Sequence, residues 1–149
     1  MRAMVVDDSR VMRTLQRREL SALGYEVHEA ADGRAALDVL TGLGADLPVL
    51  VTVDATMPVM GGLAFVEQVR ARPEWRSITL FVVATEDEHD LLVQALAAGA
   101  HEYLTKPFAR EAFREKLDVL GFNPSRSPDA SPDASPDASP DASPEGARV

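Results

Sequence analysis

The chain has 149 residues and is 46% hydrophobic, enough for one ordinary domain with its own core and some chain to spare. A formal net charge of -9 speaks against a phosphate-tracking nucleic-acid surface, and the absence of cysteine excludes disulfides and thiolate chemistry. No apolar stretch approaches the roughly 18 residues of a membrane span, and MRAMVVDDSR is too short and too quickly charged for a signal peptide, so a soluble cytoplasmic protein without nucleic-acid or membrane partners is expected.

In chain order, AMVVD (3–7) reads as a first strand. Ser9 behind it is a candidate N-cap for a helix that carries Val11, Met12, Leu15, Leu20 and Leu23 inward and stops at Gly24. YEVHEA (25–30) is a second strand, and Asp32 and Gly33 open a helix burying Ala35, Ala36, Leu37 and Leu40. PVLVTVD (48–54) is a third strand. Gly61 and Gly62 then lead into a helix with Phe65, Val66 and Val69 inside, ending near Pro73, with Trp75 covering an edge of the core. ITLFVVA (78–84) precedes a helix over roughly 88–98 that offers Leu91, Leu92, Ala95 and Leu96 before Gly99. EYLT (102–105) is the fifth strand, and a last helix starting near Phe108 uses Phe113, Leu117 and Leu120. Near-continuous apolar runs in strands one, three and four point to burial on both faces, hence a parallel sheet with helices on either side, a doubly wound α/β sandwich.

Composition changes abruptly after Phe122. Four SPDA repeats and a closing SPEGARV hold no large apolar side chain before Val149, so residues 123–149 are expected to form a low-complexity, mobile tail outside a folded domain of residues 1–122. The tail carries Asp129, Asp133, Asp137, Asp141 and Glu145 against Arg126 and Arg148, which leaves most of the negative charge on the folded part.

In such a sheet, ligands bind beyond the carboxyl ends of the strands. Asp7 and Asp8 end strand one, Asp54 ends strand three, Ala84 and Thr85 end strand four, and Lys106 with Pro107 ends strand five. Two like charges about 4 Å apart repel by roughly 4 kcal/mol at an effective dielectric near 20, so three crowded carboxylates call for a cation. All-oxygen ligands suit Mg²⁺ better than a soft-ligand metal. Taken singly, each feature has an ordinary reading: solvated loop acids with one capping the first helix, a surface lysine, a proline and glycine turn at MPVMGG (57–62). His28, His89 and His101 share no metal-ligand spacing.

VVDDSRVMR, AADGRAAL, VTVDATMPVMGG, AAGA and YLTKPF occur in this order over residues 1 to about 121, and together they resemble the receiver domain of two-component response regulators, of the stand-alone chemotaxis type. The resemblance implies a flavodoxin-like fold of five parallel strands in the order 2-1-3-4-5 with five helices. It implies that Asp54 accepts a phosphoryl group from the phosphohistidine of a sensor histidine kinase or phosphotransfer protein. Asp7, Asp8 and Asp54, with the backbone carbonyl of Thr56, would hold Mg²⁺, and Lys106 would pair first with the acceptor and then with the phosphoryl group. Such a protein is no enzyme on an external substrate and promotes only its own phosphotransfer and dephosphorylation. Thr56 and Glu86 stand where relatives tune that dephosphorylation. No output domain is expected in the residues after 122, so the signal would pass by protein contact through the face of helix four, strand five and helix five.

One position departs from the family pattern. Strand four normally ends in a Ser or Thr whose hydroxyl binds the phosphoryl group, and that position here is Ala84; Thr85 follows, but consecutive strand residues point to opposite faces. Tyr103 stands at the aromatic switch position. Ala84 keeps open an alternative, a non-phosphorylated pseudo-receiver acting as a constitutive protein-binding module. A flavodoxin-like cofactor binder or small phosphohydrolase is disfavoured because no phosphate-cradling glycine loop follows the first strand.

Overall fold

A computed structural model describes residues 1–123, and the SPDA tract expected as a mobile tail lies outside them. The order of elements is β1 (Arg2–Val6), α1 (Arg10–Ala22), β2 (Glu26–Ala30), α2 (Gly33–Leu43), β3 (Leu50–Asp54), α3 (Gly62–Arg70), β4 (Thr79–Thr85), α4 (His89–Ala98), β5 (Glu102–Lys106) and α5 (Arg110–Leu120). Short 3₁₀ turns at Pro73–Trp75 and Glu86–Glu88 precede β4 and α4. The strands form one parallel sheet in the order β2-β1-β3-β4-β5. By internal contacts the chain divides into two units, Met1–Arg110 and Glu111–Val149. No helix among the described residues is long and apolar enough to cross a membrane.

Within the first unit, β1, β3 and β4 are buried on both faces, as their apolar runs require. Met4, Val6, Val51, Val53, Leu80 and Val82 form one core cluster with Leu40 of α2, Phe65 and Val66 of α3, and Leu92 and Ala95 of α4. Alternate strand residues, Ala3, Val5, Leu50, Thr52 and Phe81, are fully buried on the opposite face. There α1 is anchored by a buried hydrogen bond, in which Thr52 Oγ1 donates to Gln16 Oε1 at 2.7 Å. In the second unit, Phe113 and Leu117 of α5 are fully buried, and the amide of Phe122 donates to Leu117 O at 2.8 Å.

Local sequence explains the helix starts. The Ser9 hydroxyl accepts from the amide of Met12 at 3.2 Å, and Asp32 Oδ1 accepts from that of Ala35 at 2.8 Å, so both act as N-caps. Gly99 ends α4 at φ +125°, a backbone conformation open to glycine. Trp75 is 3% exposed, with the Arg72 guanidinium 4.4 Å over its ring.

The phase of α1 differs from the expectation drawn from its apolar residues. Val11 is 74% exposed, and Met12, Leu15 and Leu23 are only part-buried; the buried residues of the helix are Gln16, Glu19 and Leu20. Polar residues occupy this inner face because each has a partner: Gln16 has Thr52, and Glu19 Oε2 lies 3.7 Å from Arg110 Nε. Thr52→Val should therefore destabilise the protein by about 1 to 3 kcal/mol by stranding the Gln16 amide, with most of that recovered in Gln16→Leu/Thr52→Val. Urea unfolding of the three variants checks this, and a double variant no more stable than Thr52→Val would contradict it.

Candidate functional site

The parallel sheet brings its carboxyl-end residues to one edge. Asp7 directly follows β1 and is fully buried; its Oδ1 accepts from the Ser9 amide at 2.9 Å. Its backbone carbonyl accepts from Arg13 Nη1 at 2.7 Å, and Arg13 Nε reaches Glu29 Oε1 at 3.2 Å, so α1 and β2 together fix the segment that carries the two acids. Asp8 is exposed. Asp54 ends β3 and is 6% exposed. The loop behind it is held close because Gly62, at the start of α3, leaves no room for a side chain: a Cβ there would lie 2.5 Å from Asp54 O.

Lys106, the last residue of β5, reaches into this group. Its Nζ lies 2.9 Å from Asp54 Oδ1 and 3.5 Å from Asp7 Oδ2. Asp7 Oδ2 is buried, and the Lys106 ammonium 3.5 Å away opposes its charge. Burial raises the Asp54 carboxyl to about 6, against the opposing hydrogen bond from Lys106 and with further help from the charge of Asp7. Burial raises Asp7 as well, opposed by the Ser9 amide and Lys106. Burial by itself would lower Lys106, but its hydrogen bond to Asp54 and the charges of Asp54 and Asp7 outweigh it and hold the ammonium above the ordinary lysine value.

Asp7, Asp8 and Asp54 each offer a carboxylate oxygen, and the three lie within 4.8 Å of one another. These are hard oxygen donors, two of them buried, and one buried oxygen lacks a hydrogen-bond donor. That donor set fits a small divalent cation such as Mg²⁺, which takes one or two carboxylates and keeps waters. Thr56 is exposed in the loop two residues past Asp54. Ala84 is 1% exposed and belongs to the core cluster shared with α2, α3 and α4. Thr85 is exposed; β4 runs through it without a bulge, Ala84 lying opposite Thr105 and Thr85 opposite Lys106. Tyr103 is 38% exposed and lines a cavity of about 410 Å³ with Thr85, Glu86, His89, Leu92, Val93, Leu96 and Thr105.

A further acid stands at this edge that the sequence reading did not single out. Glu88, in the turn between β4 and α4, accepts from the Thr85 amide at 2.8 Å. Burial works to raise its carboxyl, but Thr56 and Thr85 beside it, with the charge of Lys106, hold it below the ordinary value. Its charge in turn acts on Asp54. The Thr85-x-x-Glu88 spacing, a capping box, was the available signal.

The family model for the response regulator receiver domain matches residues 3–118. The chain is 42% identical over 125 residues to the chemotaxis protein CheY1 of Helicobacter pylori, covering 83% of this chain and 99% of that protein. It is 42% identical over 123 residues to a chemotaxis protein CheY homologue of Campylobacter jejuni, covering 81% and 93%. Among solved structures, the chemotaxis protein CheY4 of Vibrio cholerae superposes with a TM-score of 0.70 at 32% identity, covering 80% of this chain and 97% of that one.

The raised Asp54 carboxyl sets a pH dependence. Its folded value near 6 exceeds the usual 3.8, so the proton is held more tightly in the folded state. The associated stability is complete below about pH 4 and is lost as pH rises through about 6. Without divalent metal, the wild type should lose about 2 to 3 kcal/mol across this window relative to Asp54→Asn, which has no carboxyl to ionise. Urea unfolding in chelator from pH 4 to 7.5 measures the difference, and parallel profiles for the two proteins would contradict it.

Proposed function

This chain belongs to the response regulator receiver family and is of the stand-alone chemotaxis type, and on that premise we propose that Asp54 accepts a phosphoryl group from a phosphohistidine of a sensor histidine kinase or phosphotransfer protein. The observation that carries this reading is the position of Asp54: a carboxylate 6% exposed at the end of β3, 2.9 Å from the ammonium of Lys106. An acid in that setting has few structural reasons to exist, because burial raises the cost of its charge.

In the proposed reaction a carboxylate oxygen of Asp54 attacks phosphorus. The bond between phosphorus and the imidazole nitrogen breaks, its electron pair stays on that nitrogen, and the product is an acyl phosphate. The leaving imidazole takes up a proton from solvent. Phosphoryl transfer asks a protein mainly for positioning and for neutralisation of charge on the equatorial oxygens. Lys106 supplies one positive charge beside the acceptor and shifts its pairing to a phosphoryl oxygen as the Asp54 charge is consumed. Asp7, Asp8 and Asp54 with the carbonyl of Thr56 would hold Mg²⁺, which when bound neutralises the acids and the incoming phosphate. Arg13 and Glu29 fix the carbonyl of Asp7 and so the direction of the acidic pair. Hydrolysis of the acyl phosphate by water would end the signal.

The signal would leave by protein contact. Supporting this, the cavity between α4 and β5 carries Leu92, Val93, Leu96 and Tyr103 close to the strand ends that hold the site. The core position of Ala84 supports a second reading, a constitutive protein-binding module, since the residue brings no hydroxyl to a phosphoryl group.

The two readings separate in one experiment. Incubation with Mg²⁺ and acetyl phosphate should add one phosphoryl group to the intact mass, stable to acid and labile to base. The adduct should be lost in Asp54→Asn and in chelator, and formed at least 10-fold more slowly in Lys106→Met. No adduct from acetyl phosphate or a histidine kinase would favour the constitutive module.

A further inference from the structure

Asp7 is gripped at both of its backbone groups. Its amide donates to Ala30 O at 3.1 Å, and its carbonyl accepts from Arg13 Nη1 at 2.7 Å. Of its side-chain oxygens, Oδ1 accepts from the Ser9 amide at 2.9 Å, and Oδ2 faces the Lys106 ammonium at 3.5 Å. The carbonyl that Arg13 holds belongs to the peptide bond between Asp7 and Asp8. A peptide unit is planar, so the direction of that carbonyl fixes where the Cα of Asp8 stands.

The guanidinium is itself aimed. Its Nε lies 3.2 Å from Glu29 Oε1, and because the group is a flat fork, this contact sets the direction of Nη1. Glu29 also offsets the charge of Arg13, which would otherwise oppose a second cation nearby. Arg17 Nη1 shares the same carboxylate, donating to Glu29 Oε2 at 2.8 Å, but its side chain is 57% exposed against 18% for Arg13.

We propose that Arg13 is a positioning residue for the divalent cation: by holding the peptide between the two acids, it turns buried Asp7 and exposed Asp8 toward the same ion. The inference rests on the phosphoacceptor reading above and on the Mg²⁺ that reading requires. Without this bond Asp7 stays tied through its amide and Oδ1, while the Asp8 side of the peptide is free to rotate. Cation binding then has to order that backbone, which weakens it. Asp54 and Lys106 are untouched, so the affinity for the ion changes and the rate of phosphoryl transfer with the ion bound does not.

The test uses the full chain and two measurements. Calorimetry at pH 7.5 gives the Mg²⁺ dissociation constant. Adduct formation from acetyl phosphate, in which Asp54 attacks phosphorus and acetate leaves with the electron pair of the broken bond, is then timed by intact mass over a range of Mg²⁺ concentrations. Arg13→Met keeps most of the stem and loses the donors. Its dissociation constant and its half-saturating Mg²⁺ concentration should both rise at least 10-fold, with the saturated rate within about twofold of the wild type. Arg17→Met removes the other arginine from Glu29 and should leave all three values within about twofold. Urea unfolding shows whether each variant is folded under these conditions. If Arg13→Met is not, Glu29→Gln carries the test, since it frees the guanidinium from its aim and should weaken Mg²⁺ binding at least 3-fold. Wild-type Mg²⁺ affinity in the folded variant overturns the positioning role and leaves the phosphoacceptor reading standing. So does an equal loss in Arg17→Met, because pairing with Glu29 and not the Asp7 carbonyl would then be at work, or a fall in the saturated rate with unchanged Mg²⁺ constants. A wild type that neither binds Mg²⁺ nor forms the adduct overturns both.

Discussion

One ammonium among too many carboxylates is the constraint on which the site depends. Lys106 lies 2.9 Å from Asp54 and 3.5 Å from Asp7, both buried, with exposed Asp8 beside them and Glu88 within electrostatic reach. A single positive charge cannot neutralise this group, and burial raises both inner acids. The sheet order creates the crowding. Strands β1 and β4 flank β3, and β5 lies beyond β4 with Lys106 opposite Thr85, so residues distant in sequence end at one edge. Such a centre costs stability by itself.

The surroundings are arranged to keep the acids in place. Arg13 bridges the carbonyl of Asp7 and Glu29, and Gly62 lets α3 begin against the backbone of Asp54. Between them the loop after β3 holds Val59 at φ +68° with its side chain 83% exposed, an unfavourable conformation for a β-branched residue that its neighbours must enforce. Rigidity on this side of the acceptor contrasts with the short 3₁₀ turn on the other. That turn, Glu86–Glu88, leads directly into α4.

Much of the fold could be read from the chain because local rules and the global architecture agree. Apolar runs located the five strands to within one or two residues, and Ser9 and Asp32 marked helix starts that their side chains do cap. The convergence of Asp7, Asp8, Asp54 and Lys106 followed from strand ends alone, since a parallel sheet gathers those ends at one edge. The inner face of α1 could not be read in the same way. Hydrophobicity nominated Val11, whereas burial went to Gln16 and Glu19, whose partners Thr52 and Arg110 are dozens of residues away. Glu88 escaped notice for a related reason: among the acids of TEDEHD its capping spacing was visible, but its nearness to the charges of Asp54 and Lys106 exists only in three dimensions.

Buried, under-neutralised acids should make this edge a divalent-cation site ready for phosphate. Calorimetric titration of Mg²⁺ into the full chain at pH 7.5 tests it most directly, with Asp7→Asn as the reference. Saturable binding at one site is expected in the wild type, and its loss in the variant. Equal heats for the two proteins, or no saturable binding in the wild type, would contradict it.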